Sequence, residues 1–175
     1  DNFVPAKKMA MALQSLISTR FPRDYVGVVG FSAVAREIPP DELPTAMWDY
    51  VYGTNLQHAL LLARTMLARQ HGTKQVIVVT DGEPTAHVDQ GGDVQFHYPP
   101  VPETLRRTMA EVVRCTRAGI TINVFALDLA RTQFPFVEQI ARVNGGRTFS
   151  TTPEALGSYV LVDFLRHRRT WRHAG

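Results

Sequence analysis

The sequence predicts an α/β protein whose doubly wound, mostly parallel sheet carries helices on both faces. Helical and strand-like patterns alternate along the 175 residues, which is typical of such sheets. The segments 25–31 and 75–80 are almost continuous apolar runs, the composition of strands that are buried on both faces. With 45% hydrophobic and 20% charged residues, the chain has the composition of a globular core rather than of a disordered or fibrous protein.

The first half of the chain predicts helix, strand and helix in turn. Met9, Leu13 and Ile17 recur at helical spacing after Pro5, a residue that is favourable in a first turn. The pattern predicts a helix over residues 5–19, a strand over 25–31, a short partner strand over 34–38, a loop over 39–53, and a helix from Leu56 to about Gly72.

The second half continues the alternation. It predicts a strand over 75–80, a long irregular connection over 81–102, a helix over 105–116 capped near Gly119, a strand over 120–127, a short helix over 136–141, a strand over 147–150, and a final helix carrying Leu156, Val160 and Phe164. In doubly wound sheets ligands bind beyond the carboxyl ends of the strands. These ends fall at Ser32, at residues 80–85 and at Asp128.

Several classes of protein are excluded or disfavoured. The chain has no phosphate-binding loop, no dinucleotide-binding glycine motif and no zinc-binding motif. It has no apolar run near the roughly 20 residues that cross a bilayer, and its first residues lack the apolar core of a signal peptide. The single Cys115 reads as a buried core residue, and we expect a cytoplasmic protein.

The net charge of +3 is a mild excess, and much of it lies in the C-terminal tail Arg166-His167-Arg168-Arg169-Thr170-Trp171-Arg172. A basic tail with one aromatic residue could contact nucleic acid, but we interpret it as the solvated end of a helix. Nucleic acid is therefore not the expected partner.

Two oxygen-bearing groups stand where a ligand is expected. Asp81 follows the buried strand 75–80 directly, although an aspartate in this place can also simply cap a turn. Thr54 opens a helix, where Thr54-x-x-Gln57 also fits a capping box. A hydroxyl and a carboxylate together suit Mg²⁺, which takes few direct protein ligands and retains water.

These motifs resemble those of von Willebrand factor type A (vWA) domains, and the resemblance covers nearly the whole chain. Gly53-Thr54-Asn55-Leu56 resembles the second metal-site motif of the family, and Thr80-Asp81-Gly82-Glu83-Pro84 resembles the third. Asn144-Gly145-Gly146 and the closing helical segment resemble the intracellular bacterial members. The resemblance implies one Rossmann-like domain over residues 1–175.

The first metal-site motif of the family, Asp-x-Ser-x-Ser at the end of a strand, does not occur in this chain. In the family that strand is central, between the equivalents of segments 25–31 and 75–80. Its absence would leave about a dozen buried backbone groups unpaired at roughly 1–3 kcal/mol each, more than the typical 5–15 kcal/mol stability of a domain. We therefore expect the chain to be the C-terminal portion of a longer protein, with a partial metal site.

The resemblance implies a non-catalytic, Mg²⁺-dependent adhesion site. Thr54 and Asp81 would be metal ligands, and an open coordination position would accept a Glu or Asp carboxylate of a partner protein. Residues expected at the partner-binding rim are Ser32, Asn55, Glu83 and Asp128. By analogy with intracellular members, the expected partner is an AAA+ ATPase of the MoxR or magnesium-chelatase kind.

Two alternatives remain open from the sequence. Asp81-x-Glu83-x-Thr85 resembles the Asp-x-Asp-x-Thr motif of haloacid dehalogenase-type phosphatases, in which Asp81 would be the nucleophile and Glu83 the general acid. Separately, His87, Asp89, Asp93 and His97 could form a metal cluster in the 82–102 connection, or this connection could be a polar surface loop beside the site.

Overall fold

A computed structural model describes residues 2–47, 52–130 and 132–171, and the side chains of these residues up to position 168. The elements in chain order are α1 (Phe3–Arg20), β1 (Val28–Phe31), β2 (Ala35–Ile38), a 3-10 turn (Leu43–Thr45), α2 (Leu56–Leu67), β3 (Lys74–Thr80), β4 (Ala86–Val88), β5 (Val94–Phe96), α3 (Pro102–Arg117), β6 (Ile120–Leu127), α4 (Phe134–Asn144), β7 (Thr148–Thr151) and α5 (Leu156–Trp171). None of these helices combines the length and apolarity that crossing a bilayer requires.

The central sheet is parallel and has the order β3-β6-β7. Side chains alternate along β6, as they do in any strand. Ile122 and Val124 join the core cluster that includes residues of α2, α3 and α4, whereas Phe125 and Leu127 join the cluster formed with α1 and α5. Helices therefore cover both faces, which confirms the predicted doubly wound α/β class.

β1 lies apart from this sheet. It pairs antiparallel with β2, as predicted, but within the described residues no ladder joins it to β3. It is also shorter than the predicted strand over 25–31 and only half-buried. Consecutive residues of β1 and β3 line a largely apolar cleft of about 1040 Å³. Among the described residues, β1 has a strand partner on one edge only.

The predicted irregular connection over 81–102 contains a β-hairpin. β4 pairs with β5, and the Asp89 carboxylate organises the turn by accepting hydrogen bonds from the backbone N–H groups of Gly91 and Asp93. The strands are three residues each, too short for a periodic hydrophobic pattern. This explains why the sequence did not predict the hairpin.

The Asn144-Gly145-Gly146 motif locks the end of α4 against β6. The Asn144 side chain accepts from the Ile122 N–H and donates to the Ile120 carbonyl, at 2.7 and 2.9 Å. Gly145 has φ of +82°, and a Cβ on Gly146 would lie 1.8 Å from the Ile122 carbonyl oxygen. Glycine is therefore required at both positions for different reasons, one conformational and one steric.

Candidate functional site

The loop before α2 is hydrogen-bonded to the carboxyl ends of two strands. Ser32, directly after β1, accepts through its carbonyl from the Asn55 N–H at 2.8 Å. Thr54 exchanges bonds with Thr85, since the Thr54 N–H donates to the Thr85 hydroxyl at 2.9 Å and the Thr85 N–H donates to the Thr54 carbonyl at 3.0 Å. The loop thus joins the end of β1 to the turn that follows β3, and both strands end at this edge.

Gly53, the residue before Thr54, has a backbone conformation that favours glycine. Gly53 has φ of +122°, a region that side chains disfavour. A Cβ at this position would also lie 3.2 Å from the backbone of Ala33. Glycine therefore lets the loop pack closely against the turn between β1 and β2.

The helix cap is Asn55, not Thr54. The Asn55 Oδ1 accepts from the His58 N–H at 2.9 Å. Gln57 does not close a capping box either, because its side chain pairs with the N–H of Val88 at 2.7 Å. Within the described residues the Thr54 hydroxyl makes no hydrogen bond, so the capping interpretation of Thr54 is wrong.

Asn55 lies inside the fold rather than on the expected partner-binding rim. Its exposure is 0%, and its Nδ2 donates to the Ala33 carbonyl at 2.8 Å. His58 adds a second connection to the same turn, because its Nδ1 accepts from the Ala35 N–H at 3.0 Å. Asn55 and His58 together hold the β1–β2 turn against the start of α2.

Asp81 is an exposed residue directly after β3. Its Oδ2 accepts a hydrogen bond from the Asn2 side chain at 3.1 Å, so the start of α1 lies at the same edge of the sheet. The preceding Thr80 turns its hydroxyl to the Gly82 carbonyl at 3.0 Å, which shapes the turn. Asn2, Thr54 and Asp81 all line the cleft between β1 and β3.

The other rim candidates occupy different places. Ser32 is half-buried and lines the cleft. Glu83 is half-buried in the turn after Asp81, and burial raises the pKa of its carboxyl group. Asp128 is exposed at the end of β6 with φ of +47°, and it is not among the cleft residues.

The described residues at this edge offer two oxygen groups of the kind that Mg²⁺ accepts in proteins. Thr54 supplies a hydroxyl and Asp81 a carboxylate, both of them hard oxygen ligands. No group of three or more His, Cys, Asp or Glu side chains with metal-binding geometry occurs in the part of the chain that the structure describes. Two direct ligands supplemented by water are compatible with Mg²⁺ but not with a closed tetrahedral zinc site.

The hairpin residues form hydrogen bonds rather than the cluster considered from the sequence. His87 is buried, and its Nδ1 bonds to the Thr104 hydroxyl at 2.9 Å. The Asp89 carboxylate is engaged in the turn and with the Gln95 side chain. His87 and His97 stack with 6.4 Å between ring centroids. The metal-cluster hypothesis for His87, Asp89, Asp93 and His97 is therefore wrong.

Sequence reasoning missed Asn2 and Thr85 as supports of the site. Asn2 orients the Asp81 carboxylate, and Thr85 fixes the backbone of Thr54. Both contacts join distant parts of the chain, 79 and 31 residues apart. No local sequence pattern signals such contacts.

The chain is similar in sequence to a known family of domains. The sequence model described as "Rv0959-like protein, vWA domain" matches residues 1–165. The chain is 38% identical over 174 residues to the uncharacterized protein Rv0959 of Mycobacterium tuberculosis (strain ATCC 25618 / H37Rv) and to the uncharacterized protein Mb0984 of Mycobacterium bovis. Each match covers 97% of this chain and 26% of the relative, so the chain spans about a quarter of these curated relatives.

Among solved structures, the PilB minor pilin from Streptococcus sanguinis has a similar fold, with a TM-score of 0.64 and 17% sequence identity. The match covers 98% of this chain and 55% of the pilin. A point mutant of the same pilin matches equally well. At this identity the likeness shows the fold alone.

Proposed function

This chain belongs to the Rv0959-like family of vWA domains, and from that premise we propose that it is a non-catalytic protein-binding module. Its magnesium-dependent site, partial in this chain, binds a carboxylate of a partner protein. The observation that carries the proposal is that Thr54 and Asp81 both line one cleft, where the loop that carries Thr54 is hydrogen-bonded to the residues that follow β1 and β3.

Each residue of the site has a defined task in this proposal. Asp81 supplies the negative charge and Thr54 a neutral oxygen ligand, while Thr85 and Asn2 hold these two groups in place. A bound Mg²⁺ would supply a position at which a carboxylate oxygen of the partner replaces water. Neutralisation of Asp81 then permits a second carboxylate to approach without leaving an unpaired charge.

Ser32 and Glu83 flank this position and are the rim residues that the proposal retains. Both are half-buried; Ser32 lines the cleft, and Glu83 lies two residues after Asp81 in the turn that follows β3. Asp128 does not line the cleft. In this proposal it contacts a part of the partner that lies outside the cleft. We propose a MoxR-like AAA+ ATPase as this partner, by analogy with other vWA proteins.

The test uses the full-length protein and a MoxR-like ATPase of the same organism. Binding is measured by interferometry with Mg²⁺ and after chelation, for the wild type, Asp81→Asn and the matched surface variant Asp41→Asn. We expect binding that requires Mg²⁺ and falls at least ~10-fold in Asp81→Asn, since the ligand charge is lost. Equal binding by Asp81→Asn and the wild type would contradict the proposal.

The phosphatase alternative assigns Asp81 as the nucleophile and Glu83 as the general acid. Turnover of p-nitrophenyl phosphate is therefore measured on the same variants. We expect none above the background of Asp81→Asn. Turnover that requires both Mg²⁺ and Asp81 would show that the protein is an enzyme and would contradict the binding-module proposal.

A further inference from the structure

The β4–β5 hairpin has one outer edge with hydrogen-bond partners and one without. On the β4 side, the N–H of Ala86 donates to the Thr54 carbonyl at 3.3 Å, and the N–H of Val88 donates to the Gln57 side chain at 2.7 Å. On the β5 side, β4 is the only strand of the described residues that pairs with β5. The hairpin therefore ends in an unpaired strand edge.

The hydrogen-bond pattern shows which backbone groups of β5 point outward. The His97 N–H donates across the hairpin to the Thr85 carbonyl at 2.8 Å. Hydrogen-bonded pairs alternate along an antiparallel ladder, so the N–H and C=O groups of Val94 and Phe96 face away from β4. No hydrogen bond within the described part of the chain engages these outward groups. They are free to pair with another strand.

The side chains along this edge are apolar and exposed. Val94, Phe96 and Tyr98 stand at alternate positions and are 41%, 48% and 80% exposed; we call these three residues the edge row. The intervening Gln95 and His97 have partners within the hairpin. An apolar row beside unpaired backbone groups is the kind of surface to which an extended peptide adds as a further strand.

The hairpin and the turn before it are acidic. Residues 81–98 contain four Asp or Glu residues and no Lys or Arg. Lysine on an edge strand commonly prevents the addition of another strand, and β5 lacks this protection. Asp93, beside the start of β5, is exposed. A segment that carries Lys or Arg beside its apolar residues is therefore complementary to this edge.

We propose that the β5 edge binds an extended segment of the same partner protein whose carboxylate occupies the magnesium site, and that this segment becomes the third strand of the hairpin sheet. Its side chains are apolar at alternate positions, where they contact the edge row, and a Lys or Arg lies beside Asp93. The identity of this occupant rests on the proposed function.

Size and continuity identify the occupant. A stable interface takes about 20–30 residues from each partner, so the three residues of the edge row do not hold a second copy of this chain by themselves. The Thr54 loop is hydrogen-bonded to the outer edge of β4, about two strand spacings, or ~10 Å, from β5. A protein that covers the magnesium site therefore also reaches the edge row and supplies the remaining contacts.

The hairpin is held in place before any partner arrives. His87 bonds to the Thr104 hydroxyl of α3 at 2.9 Å, and Gln57 of α2 bonds to Val88. β4 is thus fixed to two helices, and β5 is fixed to β4. A strand that adds to this edge orders only itself, which lowers the entropic cost of binding.

A peptide tests the edge without magnesium. The probe is a short fluorescent peptide in which Val and Thr alternate between two terminal lysines, and the control peptide has Pro in place of one Thr. Binding to the full-length protein is measured by fluorescence anisotropy after chelation of divalent ions. We expect saturable binding, a modest loss in Phe96→Thr and a loss of at least ~10-fold in Phe96→Pro, since only proline removes the outward N–H.

The control peptide leaves the protein unchanged, so the test stands even where Phe96→Pro disturbs the hairpin. We expect it to bind at least ~10-fold more weakly than the probe. No saturable binding of the probe by the wild type, or equal binding of the two peptides, overturns the proposal. So does a concentration-dependent dimer of the wild type that Phe96→Pro dissociates in sedimentation, because a second copy would then cover the edge.

Binding of the MoxR-like ATPase separates this inference from the proposed function. With Mg²⁺ present, we expect Phe96→Pro to weaken ATPase binding at least ~10-fold relative to Phe96→Thr. Mg²⁺-dependent binding that is equal in these two variants overturns the strand addition and leaves the magnesium site standing. Binding that depends on Phe96 but is equal in Asp81→Asn and the wild type supports the strand addition and contradicts the proposed function.

Discussion

Asn55 and Thr54 are adjacent, both belong to residue types that cap helices, and the structure gives them different tasks. Asn55 uses both ends of its amide, accepting from the His58 N–H and donating to the Ala33 carbonyl. Thr54 lines the cleft, and its hydroxyl makes no hydrogen bond to the part of the chain that the structure describes. The sequence could not separate the two residues, because the choice depends on which one meets the β1–β2 turn.

Replacing Asn55 by alanine should destabilise the protein by roughly 2–4 kcal/mol, because the helix loses its cap and the Ala33 carbonyl loses its partner. Asn55→Ser should cost less, since serine keeps the cap acceptor. Urea denaturation measures both free energies of unfolding. A loss below about 0.5 kcal/mol in Asn55→Ala would show that the hydrogen bonds of the Asn55 side chain do not stabilise the fold.

Asn2→Ala should weaken Mg²⁺ binding by the full-length protein about 10-fold without a matching loss of stability. Outer hydrogen bonds that orient a metal ligand have effects of this size, and Asn2 holds the Asp81 carboxylate. Titration calorimetry gives the affinity, with Ser15→Ala on the exposed side of α1 as the control. An unchanged affinity would remove Asn2 from the site.

At the scale of elements, prediction from sequence was most accurate where local composition is decisive. β6 has the predicted bounds, 120–127, because it is apolar on both faces and pairs on both edges. β1 is shorter than predicted, and among the described residues only its edge toward β2 has a strand partner. The hairpin β4–β5 was missed because its anchors to Gln57 and Thr104 are tertiary contacts.

The β4–β5 hairpin should make stability depend on pH through His87. Burial, followed by the nearby Arg107, lowers the pKa of His87; Glu103 and Asp89 oppose this effect, and His97 adds to it. The unfolded chain then binds more protons than the folded chain just below the ordinary histidine pKa of about 6.5. The contribution of His87 is complete above that pH and is lost as the pH falls toward the lowered pKa.

His87→Asn should therefore reduce the loss of stability between about pH 6.5 and 5, because the amide keeps a partner for Thr104 but does not titrate. Free energies of unfolding are measured across this range, with the exposed His71→Asn as the control. Parallel pH profiles for the wild type and His87→Asn would contradict this assignment.

At the scale of the whole molecule, the α/β class, the vWA family and the order of the elements other than the β4–β5 hairpin could be predicted from the sequence. The cleft was foreseen only as the place of a strand that the resemblance implies. Its apolar walls, and the buried Nε2 of Gln75 and Nε of Arg168 that have no hydrogen-bond partner among the described residues, emerge only from the packing of α1, α2 and α5 around it.

The most direct test of the account is calorimetric titration of Mg²⁺ into the full-length protein, its Thr54→Val and Asp81→Asn variants, and the control Asp41→Asn. The account predicts saturable binding of one ion by the wild type and the control, and a loss of at least ~10-fold in affinity in each site variant. The absence of saturable Mg²⁺ binding by the wild type, or equal affinity in all four proteins, would contradict it.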